Sequence, residues 1–68
     1  MIKPIIIATK IKTYRKEKEI SMDRVEEELD IDQIRQYDIE TASVVPTKQE
    51  LDGYASLFQV PVSQLLSN

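Results

Sequence analysis

The stretch from Ile20 to Pro46 constrains this chain more than any other part of it: ISMDRVEEEL, then DID, then QIRQYDIE, then TASVVP. It holds two short helical patterns separated by a three-residue turn, the second closing on Glu40 before a loop that stops at proline. Ser21 is placed to cap the first of these helices, with Asp23 in the first turn, where the helix dipole favours an anion. Val25 and Leu29 supply its inward pair. Asp30 follows where such a helix needs a left-handed residue, a conformation Asp tolerates less well than Gly but better than most. Ile31 plugs the turn, and Asp32 is placed to cap the next helix. That helix, about Gln33 to Thr41, has few apolar residues (Ile34, Tyr37 and Ile39), so it is stable only when neighbours brace it. One short helix braced by another across a tight turn is the plan of a helix-turn-helix unit.

The flanking segments supply the bracing. Pro4 suits the first turn of a helix, where its missing N–H costs nothing, and Ile7, Ile11 and Tyr14 then fall on one face of a helix from about Pro4 to Lys18. Ile5 and Ile6 widen that face, either to cover the end of the core or to meet a partner. Thr47-Lys48-Gln49-Glu50 is a capping box directly after Pro46, and Leu51, Tyr54, Ala55 and Phe58 continue as the inward face of a fourth helix. Val60-Pro61 breaks it, and Val62 to Leu66 reads as a last short helix. The expectation is one all-α domain of five helices over residues 1–68.

At 68 residues the chain is near the lower size limit for folding without disulfides or metal, and association into a homodimer is a natural support. Cysteine and histidine are both absent. That excludes disulfides, Cys/His zinc sites and Cys or His nucleophiles, and fits a reducing cytoplasm; no cofactor is expected. The apolar start, Pro4 to Ala8, is too short for a membrane span and is followed by lysines, so it belongs to the fold and not to a membrane anchor or leader. An enzyme is not expected, because a helical core of this size leaves little room to desolvate a catalytic pair. The run Glu26-Glu27-Glu28 is no metal site, since consecutive helical residues point different ways.

The net charge is -3, but its distribution says more. Residues 1–18 hold six basic residues and one acid, whereas the remainder holds three basic residues and eleven acids. The segment Asp32 to Glu40 has three acids and one Arg. Nucleic-acid modules usually carry a basic face, so this distribution argues mildly against a strong phosphate binder.

Taken in register, these blocks resemble the Xre/Cro family of lambda- and 434-repressor-like domains. Ile11 to Lys18 is similar to its first-helix block, Ile20-Ser21 with Val25 and Leu29 to its second helix, and Ile39-Glu40 with Pro46 six residues on to the close of its third. Leu51, Ala55, Phe58, Val60, Leu65 and Leu66 fall on its last two helices. The resemblance implies a compact five-helix lambda-repressor-like DNA-binding domain with the helix-turn-helix at helices 2 and 3. It also implies an ion pair between Arg15 and Glu40, which would fix the angle at which helix 3 is offered.

By the same resemblance, base edges are met by Gln33, Ile34, Tyr37 and Asp38, and phosphates by Ser21, Met22, Thr47 and Lys48. Three residues depart from the family at the joint between helices 2 and 3: Glu26 in place of a small Ala, Asp30 in place of Gly, and Gln36 in place of a buried Ile or Val. Either Glu26 and Gln36 form a carboxylate–amide hydrogen bond, or helix 3 is rotated so that both reach water and Ile34 turns inward. The family's loop bases are replaced by Ser43, Val44 and Val45. Two functions follow as expectations. One is a small transcriptional regulator that binds double-stranded DNA as a homodimer. The other is a helix-turn-helix module diverted to protein binding, as an antirepressor or as a regulator of another DNA-binding protein.

Overall fold

Five helices make up the chain over residues 3–67, which the computed structural model describes: α1 (Pro4–Glu17), α2 (Met22–Leu29), α3 (Gln33–Glu40), α4 (Lys48–Phe58) and α5 (Val62–Leu66). The starts of α2, α3 and α4 are set by side chains that satisfy first-turn amides. Ser21 Oγ accepts from the Arg24 N–H at 3.0 Å and Asp32 Oδ1 from the Arg35 N–H at 2.8 Å. At α4 the box is reciprocal: the Glu50 N–H donates to Thr47 Oγ1 at 3.1 Å, and the Thr47 N–H donates to Glu50 Oε1 at 2.8 Å.

The ends are reached differently. Glu19, Asp30, Ala42 and Gln59 all have φ between 56° and 64°, the left-handed region that costs a side-chain-bearing residue about 1–2 kcal/mol. After Glu19, Ala42 and Gln59 the reversal lets a following amide turn back onto the helix. The Ile20 N–H reaches the Arg15 carbonyl at 2.9 Å, Ser43 that of Asp38 at 2.9 Å, and Val60 that of Ala55 at 3.0 Å. Consequently α1 and α3 stop at Glu17 and Glu40, one residue short of the sequence expectation at each.

The core lies where α1 packs on α3, α4 and α5 while α2 packs on α3 and α4. Ile7 and Ile11 of α1, Val25 of α2, Ile31 of the turn, Ile39 of α3, Tyr54, Ala55 and Phe58 of α4, and Leu65 of α5 form it. Tyr14 and Tyr54 both lie with ring centroids 5.7 Å from that of Phe58. Gly53 lets α2 approach α4, because a Cβ there would come within 3.1 Å of Leu29 Cδ2. Ile5 stays out of the core at 56% exposure. With Ile6, Thr9 and Lys10 it lines a shallow apolar groove of about 290 Å³.

Gln36 corrects the sequence expectation. It is completely buried, yet no hydrogen bond joins it to Glu26, which is exposed; Ile34 is not turned inward either, at 78% exposure. Gln36 Nε2 instead donates to the Met22 carbonyl at 2.9 Å and the Ile31 carbonyl at 2.8 Å. The physical reason is local. The first-turn carbonyl of α2 and the carbonyl of the turn plug both lie within reach of one amide, which satisfies both of its donors without a partner side chain. Gln36 Oε1 has no partner.

A second buried polar atom is also unpaired: the hydroxyl of Tyr54, in the centre of the core. Burial, followed by the nearby Glu40 and Glu50 carboxylates, pushes its pKa well above the ordinary tyrosine value. A hydroxyl left without a partner costs about 1–3 kcal/mol, whereas a phenyl ring of the same shape costs nothing of the kind. Tyr54→Phe is therefore expected to raise the unfolding free energy by about 1 kcal/mol in a urea titration; a loss of similar size would mean that the hydroxyl has a partner.

Candidate nucleic-acid interface

The short helix α3 contributes one fully buried aliphatic side chain, Ile39, and burial of that kind stabilises by only about 1.5–3 kcal/mol. Directional bonds determine how it sits. Arg15 of α1 grips Glu40 with both arms of its guanidinium, Nε to Oε2 at 2.6 Å and Nη2 to Oε1 at 3.1 Å. Its third nitrogen, Nη1, donates to the Ile20 carbonyl at 3.0 Å. The two side chains are only 14% and 7% exposed, so the planar fork works in a poorly solvated setting where its geometry counts. The hydrogen bonds to Glu40 raise the Arg15 pKa above its already high value.

Arg35 makes a second bidentate pair, to Glu50 of α4, with distances of 2.9 and 2.8 Å. Glu50 thus closes the α4 capping box and ties α3 to α4 with one carboxylate. The Arg35 guanidinium, aided by the Thr47 amide and hydroxyl, holds the Glu50 carboxyl below its ordinary value of 4.5. Gln36 makes the third tether, to the start of α2. Sequence reasoning missed both the Arg35–Glu50 pair and the role of Gln36. The partners are 15 and 14 residues apart, and no local spacing marks them.

Held in this way, α3 turns Gln33, Ile34 and Tyr37 outward, with Ile34 78% and Tyr37 63% exposed. Asp38, half-buried, lies at the edge of that face. Gln33 is not free: its Nε2 donates to Asp23 Oδ1 and, at 3.4 Å, to Glu26 Oε1, both on α2. Of the residues expected at phosphates, Ser21 and Thr47 are the caps of α2 and α4. Met22 begins α2 and lends its carbonyl to Gln36, while Lys48 is highly exposed with its ammonium 3.4 Å from Asp52.

The first-turn amides of α2 and α4 have no intrahelical acceptor and face whatever approaches those ends. At α4, however, the Glu50 carboxylate already occupies the Thr47 amide. The surroundings of α3 are acidic, with Asp23, Glu26, Glu27, Asp30 and Asp32 all exposed. Among the described residues no cluster of three or more potential ligands could hold a metal ion, and no helix is long and apolar enough to cross a membrane. No protein-family model, characterised protein or solved structure matches the chain.

Two measurements follow from the tethers. Arg15→Ala and Glu40→Ala are each expected to lose about 3–5 kcal/mol of stability, since either leaves a charge stranded in a poorly solvated place. The double variant should lose clearly less than the sum, and additivity would mean that the pair is not coupled. Glu50 has a lowered pKa in the folded state, so its contribution is present in full above about pH 4.5 and is lost as pH falls through the lowered value. Stability curves of the wild type and of Glu50→Gln should therefore converge on acidification below pH 4.5; parallel curves would remove the carboxylate from the account.

Proposed function

We propose that the protein is a small Xre/Cro-like transcriptional regulator that binds operator DNA through α3 in the major groove, as a homodimer in the cytoplasm. The observation that carries this reading is the mounting of α3. A polar helix is tied to α1, α2 and α4 by Arg15–Glu40, Gln36 and Arg35–Glu50, and its outer face carries Gln33, Ile34 and Tyr37. A helix held rigidly with a mixed polar and apolar outer face suits base edges, where an amide meets adenine or cytosine and an aliphatic side chain meets the thymine methyl.

In this reading Ser21 and Met22 at α2, and Thr47 and Lys48 at α4, meet the flanking phosphates through amides, a hydroxyl and one ammonium. In a homodimer of this kind the two α3 helices would lie about 34 Å apart, the separation of two successive major grooves. Occupancy of the operator then alters polymerase access.

The acidic surroundings of α3 favour a second reading, in which this face, with its exposed Ile34, Tyr37 and Val45, binds a basic protein surface as an antirepressor or a regulator of another DNA-binding protein. Titration with pooled duplex DNA separates the two. For a dimeric DNA reader with one ammonium at the phosphates in each half, affinity should fall about tenfold between about 50 and 200 mM salt. Absence of binding at the lower salt would remove the DNA reading and leave the protein-binding one.

A further inference from the structure

The reading of α3 as the DNA-contacting element leaves open which base edges it selects, and the Gln33 amide bears on this. Gln33 opens α3 beside two carboxylates of α2, and its Nε2 donates to Asp23 Oδ1 and to Glu26 Oε1. An ionised carboxylate only accepts, so the amide nitrogen must be the atom that faces α2. The amide nitrogen of Gln33 is then directed at its own protein, with Asp23 the close partner and Glu26 the distant one at 3.4 Å. What is left for an incoming ligand is Oε1, an acceptor. An unconstrained glutamine reads adenine with a matched pair of bonds, one N–H to N7 and one oxygen to the N6 amino group. Held as it is here, Gln33 lacks the first of these.

Resting on that reading, we propose that Asp23 and Glu26 set Gln33 as a pure acceptor, so that α3 selects a base with an exocyclic amino group, cytosine or adenine, and rejects guanine at the position Gln33 meets. Guanine offers only the N7 and O6 acceptors in the major groove and would face oxygen with oxygen. The rest of the face has the same character. Arg35, the side chain of α3 suited to guanine, has its guanidinium on Glu50. Asp38 adds a carboxylate and Ile34 an apolar contact for a thymine methyl. Tyr37, through its hydroxyl, is the member of the outer set that can still donate. Asp23 and Glu26 act here as positioning residues: they touch Gln33 and not the base.

The test combines selection from randomised duplexes with NMR of side-chain amides, on the full chain and on Asp23→Ala, Glu26→Ala and Glu27→Ala. Glu27 is exposed and forms no hydrogen bond or ion pair among the described side chains, so its variant removes one charge without touching Gln33. In the free wild type and in Glu27→Ala, the Gln33 amide protons should be shifted from those of the exposed Gln49 and Gln59; in Asp23→Ala they should move to join them. With DNA, the wild type and Glu27→Ala should favour cytosine or adenine over guanine about tenfold at one position, falling to about twofold in Asp23→Ala. Loss of a charge by itself raises affinity for all sequences alike, so the ratio isolates the positioning effect. Should Asp23→Ala fail to fold, Glu26→Ala carries the same comparison. Guanine preference, an unchanged ratio in Asp23→Ala, or a Gln33 amide that matches the exposed glutamines in the free wild type would each overturn the proposal while the DNA reading stands. No duplex binding by the wild type at low salt would overturn both.

Discussion

The bidentate contact between Arg15 and Glu40 is the constraint on which the arrangement of α3 depends. Hydrophobic burial is non-directional, and one buried isoleucine leaves an eight-residue helix free to roll about its own axis. A guanidinium fork is directional. Two parallel N–H···O bonds to the last residue of α3, and a third to the Ile20 carbonyl ahead of α2, set α2 and α3 against α1 in both position and rotation. Arg35–Glu50 and Gln36 then hold the remaining turns against α4 and α2. The outward direction of Gln33, Ile34 and Tyr37 is a consequence of these inward bonds.

Charge is deployed accordingly. Of the three arginines, the residues best suited to grip an anion in two places, Arg15 and Arg35 are engaged between helices within the fold, and the more exposed Arg24 stands 3.7 Å from Glu28 on its own helix. Lys48, a remaining base near the start of α4, stands beside Asp52. The proposed contact face therefore presents acceptors and apolar surface with little positive charge, and any affinity for nucleic acid has to come from helix amides, hydroxyls and shape more than from ion pairing. This gives the two functional readings their shared physical basis: the same rigid face, with the partner decided by whether phosphates tolerate its acids.

Helix starts were legible in the sequence because capping is local. Ser21, Asp32 and the Thr47–Glu50 box act within three residues, and the caps are where the pattern put them. The apolar stripes of α1 and α4, the Ile31 plug and the left-handed Asp30 were legible for the same reason. Helix ends were harder to read, because Glu19, Ala42 and Gln59 take a conformation that glycine usually marks. There the following residues must dock on the core, and that docking offsets the local strain. Gln36 was misread outright. Its type at a buried position invited a search for a partner side chain, while backbone carbonyls of α2 and the turn satisfied it.

By itself, then, the sequence determined what acts over one or two helical turns: five helices, the caps of α2, α3 and α4, the inward faces of α1 and α4, and the all-α class. The Arg15–Glu40 pairing entered with the resemblance and not with any spacing along the chain. Tertiary structure alone decided that Glu50 would turn its carboxylate on Arg35 as well as on its own cap, that Gln36 would lie inside, and that Asp23 and Glu26 would hold the Gln33 amide. Each of those bonds joins residues from different helices. Their distances depend on how rigid rods settle against one another, and that is fixed by packing over the whole core and not by any short run of residues.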